Sequence, residues 1–170
     1  GPSLMKFGSE EQRRKLLPGI ARGEIFFAIG MSEPDSGSDL ASVRTKAVKV
    51  DGGWQLTGSK IWTSGAHLSH YFIVLARSAP LDPEHRHAGL SQFIVALDSP
   101  GIDIRPIVSM NGHHHFNQVF FDNAFVPDAM LFGREGNGPQ LSDTGVCVAR
   151  GAGSSAVSAQ PAQPYSSEVQ

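Results

Sequence analysis

Thr45-Lys46-Ala47-Val48-Lys49-Val50-Asp51-Gly52-Gly53-Trp54-Gln55-Leu56-Thr57-Gly58-Ser59-Lys60-Ile61 reads as two strands folded back on each other. Thr45 to Val50 leads into Asp51-Gly52-Gly53, the residue types of a hairpin turn, and Trp54 to Ile61 returns. Side chains alternate across a strand, so Trp54 and Leu56 share one face while Gln55 and Thr57 share the other.

Outward from the hairpin the same character persists. Tyr71 to Ala76 and Gln92 to Leu97 are denser apolar runs, suited to strands buried on both faces. Ser78 to Gly89 between them is polar with two prolines, an exposed loop. Ile102 to Arg105 and Val119 to Asp122 complete the strands, and Asp98-Ser99-Pro100-Gly101 marks a tight turn. Residues 24–138 are therefore predicted as one mainly β domain, a sandwich or barrel. Residues 1–23 read as short helices. Ser9 followed by Gln12 fits a capping box, Leu16, Leu17 and Ile20 form a buried stripe, and Pro18 is expected to end or interrupt the helix. Residues 139–170 change composition. From Gly151 onward Glu168 is the only charged side chain among Gly, Ala, Ser, Pro and Gln, which predicts a disordered tail.

Composition narrows the function classes. The chain of 170 residues is 40% hydrophobic and 18% charged, suited to a soluble globular protein, and its net charge of −2 with no basic stripe argues against nucleic acid. No apolar run is long enough for a membrane helix, and the N-terminus lacks a secretory pattern. A single cysteine, Cys147, fits a reducing cytoplasm.

Phe26 to Ser32 reads as a strand running into Met31-Ser32-Glu33-Pro34-Asp35-Ser36-Gly37-Ser38-Asp39. Two hydroxyls, Ser36 and Ser38, and the permissive backbone of Gly37 can present donors to phosphate or carbonyl oxygens. The loop is neither a P-loop nor a dinucleotide fingerprint, and on local chemistry alone it is a surface turn. Gly133 to Gly138 is a plain loop. His113-His114-His115 on a strand would set His113 and His115 on one face, but no third ligand is evident and no metal site is assigned.

The order of motifs adds more. Ser32-Glu33-Pro34-x-x-Gly37-Ser38-Asp39 precedes Gly58-Ser59-Lys60-Ile61-Trp62-Thr63-Ser64. Ser99-Pro100-Gly101 and Arg105-Pro106-Ile107 follow, and then Phe116-Asn117-Gln118-Val119-Phe120-Phe121-Asp122 leads to Val126-Pro127. This succession resembles the acyl-CoA dehydrogenase family over residues 1–138, specifically its bacterial-type members. Gly1 to Gly23 looks like the last helices of that family's N-terminal domain.

The resemblance implies a β-barrel-like pair of sheets that binds FAD and an acyl-CoA substrate, in fatty acid metabolism, with electron-transfer flavoprotein and related subunits as partners. By position, Ile29, Met31 and Ser32 would line the flavin ring. Gly37 and Ser38 would complete the loop, with Ser38 also touching CoA. Trp62 would pack on the isoalloxazine while Thr63 and Ser64 donate hydrogen bonds to it. Glu33 and Asp39 are expected to order the loop as acceptors, and Arg105 to be a solvated strand residue. In the family the base is a glutamate, usually supplied by a C-terminal helical domain, so no catalytic residue is assigned here. Ala149 stands before Arg150-Gly151 where that acid is expected. The composition change near Pro139 suggests a frameshift, a premature stop or an incomplete gene model. The competing expectation is an inactive remnant or scaffold that associates with a related chain.

Overall fold

The computed structural model describes residues 1–136; the expected disordered tail lies outside them. The chain opens with α1 (Pro2–Phe7) and α2 (Glu10–Ala21). The capping box forms reciprocally: Gln12 N donates to Ser9 Oγ and Ser9 N to Gln12 Oε1, both at 3.1 Å. The same amide reaches further, because its Nε2 donates to the carbonyls of Ala129 and Leu131 at 2.8 Å each. Leu16 is fully buried, and Leu17 and Ile20 pack beside it. Pro18 does not end the helix, which continues to Ala21. A proline removes one N–H from the ladder, but this close to the end little helix remains to be lost. The turn closes through Arg22 N on the Pro18 carbonyl at 3.1 Å.

Eight strands follow: β1 (Phe27–Gly30), β2 (Lys46–Val50), β3 (Gly53–Ser64), β4 (Tyr71–Arg77), β5 (Leu90–Ala96), β6 (Ile102–Val108), β7 (His114–Pro127) and β8 (Leu131–Phe132). They pair in the order β6-β7-β3-β2-β4-β5-β8, with β1 parallel on β4. The hairpin forms as expected. Val50 pairs with Gly53, Gly52 adopts φ 72°, Trp54 and Leu56 are buried, and Gln55 and Thr57 are exposed.

The pair of sheets expected from the resemblance appears as two halves of one hydrogen-bonded sheet. They meet at a seam where β2 touches β4 through the single pair Lys46↔Arg77, joined by Arg77 N on the Thr45 carbonyl at 2.8 Å. The halves close over a common core. Trp54 packs on Phe93 with ring centroids 5.4 Å apart, and Phe72 on Phe121 at 6.1 Å. Strands β4 and β5 are buried on both faces, as their apolar density predicts. Phe72, Val74, Phe93 and Val95 face that core, while Ile94 turns to Leu4 and Leu16 of the helices. Leu75 joins Leu90 and Val43 in a third cluster. Ser78 to Ala88 is mostly exposed, as its polarity implies.

One topological detail positions the site. β1 covers Tyr71 to Val74 of β4, and β2 meets the same strand at Arg77. The opposite edge of β4 belongs to β5. Residues 31–45 are thus an excursion that leaves one sheet edge and returns to it three residues later. Gly30 is needed at the exit, because a Cβ there would enter the Phe72 ring.

Replacing Gln12 by leucine removes the cap partner and strands two carbonyls. It is expected to cost about 2–4 kcal/mol in urea unfolding, against about 1 kcal/mol for Ser9→Ala.

Candidate functional site

The 31–45 excursion is built around a buried carboxylate. Glu33 Oε1 accepts from Lys60 Nζ at 2.8 Å and from Thr45 N at 2.9 Å, and Oε2 accepts from Arg44 N at 2.7 Å. Lys60 is wholly buried, and its ammonium also donates to the Met31 carbonyl at 3.2 Å. Burial pushes the Glu33 carboxyl up, but the charge and hydrogen bond of Lys60, with the donors from Thr45 and Arg44, outweigh it. The net effect holds Glu33 below the usual glutamate value. Burial dominates for Lys60, whose ammonium is pushed down to about 8 against the pull of Glu33. Glu33 is therefore the loop-ordering acceptor that the resemblance suggested.

Outer contacts tie down the rest of the loop. Glu33 and Ser36 exchange backbone hydrogen bonds around Pro34-Asp35, and the Ser36 hydroxyl donates to the Asp39 carbonyl at 2.7 Å. The Ser36 hydroxyl is thus turned inward, whereas Gly37 and Ser38 are exposed. Asp39 is held below its usual range by Arg86, 2.7 Å away on the 78–89 loop. The Arg77 guanidinium donates to the carbonyls of Ala41, Val43, Arg86 and Ala88, stapling both loops to the end of β4.

The second part of the site is a β-bulge. Lys60 pairs with Val119 and Thr63 with Asn117, so Ile61 and Trp62 together oppose Gln118. The extra residue shifts the phase of the strand. Lys60 and Thr63 face inward, while Trp62 is 58% exposed, at φ 60°. A tryptophan in the left-handed region is strained, and such strain concentrates at functional sites. Phe116 supports the indole edge-on at 6.0 Å. Loop and bulge are joined directly by Ile61 N on the Ser32 carbonyl at 3.0 Å.

The expected residues fall into two groups. Ile29 is 51% exposed, and Trp62, Ser64, Gly37 and Ser38 are exposed as well. Ser32 is half-buried. Met31 packs partly against Val43, Leu75 and Leu90, and its carbonyl is taken by the Lys60 ammonium. Thr63 is buried and its hydroxyl donates to the Asn117 carbonyl at 2.9 Å. That hydroxyl is already committed, and so is the Thr63 carbonyl, which accepts from Asn117 Nδ2. Two concavities of about 470 and 450 Å³ lie elsewhere, one beside Phe125 and Met130, the other beside His67 and His70.

The shared strand face considered for His113 and His115 does not form. His113 lies in the turn before β7, and the rings that meet are His67 and His114, stacked at 3.9 Å. The buried Asn117 amide bonds to both rings. Its Nδ2 donates to the Thr63 carbonyl at 3.0 Å and to His67 Nδ1 at 3.1 Å, and its oxygen accepts from His114 Nε2 at 2.8 Å. Arg105 is exposed, as expected, and lies over the Phe120 ring at 4.5 Å.

Sequence reasoning missed Lys60, Arg77 and Asn117. A signal existed for the first. Lys60 has the parity of Trp54 and Leu56, and a lysine on the buried face of a strand needs a partner.

The family model described as acyl-CoA dehydrogenase, middle domain, matches residues 28–124. FadE34, an acyl-CoA dehydrogenase of Mycobacterium tuberculosis, is 46% identical over 143 residues, covering 84% of this chain and 20% of that protein. The solved steroid ACAD Tcur3481–Tcur3483 superposes with a TM-score of 0.79 at 40% identity, covering 84% of this chain and 36% of that one. The FAD complex of PigA superposes at 0.77 with 29% identity, covering 84% and 37%. The chain belongs to the acyl-CoA dehydrogenase family, and carries its middle domain. It spans well under half the length of these relatives.

Because the folded carboxyl of Glu33 titrates below its unfolded value, its stabilisation is complete above about pH 4.3 and is lost as pH falls through the lower, folded value. Denaturant unfolding should therefore find Glu33→Gln clearly less stable than the parent at pH 7, with the gap closing as pH falls below the ordinary glutamate value of about 4.3.

Proposed function

We propose that the Ile29–Trp62 surface binds FAD and that the chain is the cofactor-binding part of an FAD-dependent acyl-CoA dehydrogenase. The observation that carries this is the outward, strained Trp62, hydrogen-bonded through its neighbour Ile61 to the loop that holds Met31 and Ser32 and follows Ile29 of β1. A flat indole and an exposed isoleucine suit a planar ring system, and the adjacent hydroxyls and backbone suit its polar edge. FAD would supply the hydride acceptor for α,β-dehydrogenation of an acyl-CoA thioester.

The chain's own residues divide the remaining work. Trp62 and Ile29 would pack on the ring, while the hydroxyls of Ser32 and Ser64 and the main-chain N–H groups of Met31 and Thr63 would orient it. Gly37 and Ser38 lie exposed where CoA would pass. The loop carboxylates are occupied, Glu33 by Lys60, Asp35 by Arg44 and Asp39 by Arg86. The base that removes the α-proton is therefore sought outside this loop. An oligomer with related subunits, electron transfer to an electron-transfer flavoprotein and a cytoplasmic location complete the proposal. The committed carboxylates also favour a second reading, a scaffold that holds FAD without turnover in this chain alone.

Titrating FAD into the purified chain, read by flavin absorption and tryptophan quenching, should give one FAD per chain; colourless protein without quenching would sink the proposal. Trp62→Asn exchanges a strained residue for one that tolerates left-handed backbone. Its thermal unfolding should move by no more than about 1 kcal/mol, while FAD affinity falls about tenfold or more. A panel of acyl-CoA thioesters should leave flavin bound to this chain oxidised, and bleaching would instead place the base within it.

A further inference from the structure

We infer that Lys60 is the positioning residue of the cofactor surface, the buried side chain that, with the Ile61 N to Ser32 carbonyl bond, holds the loop after β1 and the Trp62 bulge in register. The inference rests on the FAD reading for its consequence but on geometry for its substance. Lys60 immediately precedes the bulge in β3, and its ammonium reaches across to the loop, 3.2 Å from the Met31 carbonyl and 2.8 Å from Glu33. Glu33 in turn holds the main chain of Arg44 and Thr45, where the excursion returns to the sheet. Removing the cation releases both ends of the loop from the residue beside Ile61 and Trp62.

Electrostatics separates positioning from stabilisation. Lys60 is fully buried, and its affinity for a proton is lowered to about 8 even with Glu33 beside it. Arg77, from β4, also feels the charge of Glu33. The fold thus carries the ammonium at a cost, and a well-packed uncharged pair would serve stability as well or better. A buried cation kept under those terms is explained by what it aligns.

The test is the double variant Glu33→Gln/Lys60→Met in the full 170-residue chain. It is expected to unfold at about the parent's denaturant midpoint, yet to bind FAD at least tenfold more weakly. The exposed Trp62 also reports without any cofactor, because acrylamide quenches it while Trp54 is buried. Its quenchable emission should shift in the double variant. A stable double variant with parental FAD affinity and unchanged Trp62 emission overturns the inference. If the parent chain binds no FAD, the FAD reading fails, and Trp62 emission still decides the role of Lys60. Should the double variant not fold, Glu33→Gln alone decides at pH 7: a shift in quenchable Trp62 emission supports the inference, and emission unchanged from the parent refutes it.

Discussion

The Glu33–Lys60 ion pair is the contact on which the candidate site depends. Neither partner is near the surface, and neither lies on the same element as the other. A carboxylate on a loop and an ammonium on a strand lose their hydration together, and each is tolerable only while the other stays in place. The pair therefore reinforces the link between a fifteen-residue excursion (31–45) and a β-bulge, which also meet through Ile61 N on the Ser32 carbonyl. The asymmetry between them is informative. Glu33 has backbone donors besides its cation and remains a comfortable anion, whereas Lys60 has little beyond one carboxylate and one carbonyl.

Bulges explain which parts of the structure were legible in the sequence. The hairpin, the doubly buried β4 and β5, the exposed 78–89 loop and the capping box all follow from patterns that repeat over several residues. A bulge has no such repeat. Extending the alternation of Trp54 and Leu56 puts Trp62 in the core and Thr63 on the surface, the reverse of what is found. The bulge at Ile61-Trp62 inverts the phase, and a second irregularity on β7 surrounds Asn123, the other non-glycine residue at positive φ. Only the motif order singled out Trp62.

Long-range polar contacts were equally hidden. Gln12 was legible as a cap because its partner is three residues away, but its second role, on Ala129 and Leu131, spans the chain. Asn117 was quoted only as part of a motif, although it orients two imidazoles and bridges β3 to β7. His113 and His115 looked like partners on a strand that in fact starts one residue later, at His114. In each case the fold class was secure while the contact depended on register, which pattern alone does not fix.

The return of the excursion to the strand edge it left has a consequence for how this domain can diversify. Both anchors, at Gly30 and Lys46, are registered on β4 within three residues of each other. Residues on the outer side of the loop, such as Pro34, Asp35, Gly37 and Ser38, can be exchanged, lengthened or shortened without sliding any strand past its neighbour. The sheet acts as a fixed frame with one replaceable panel, so new ligand preferences can be sampled there while the core keeps its packing.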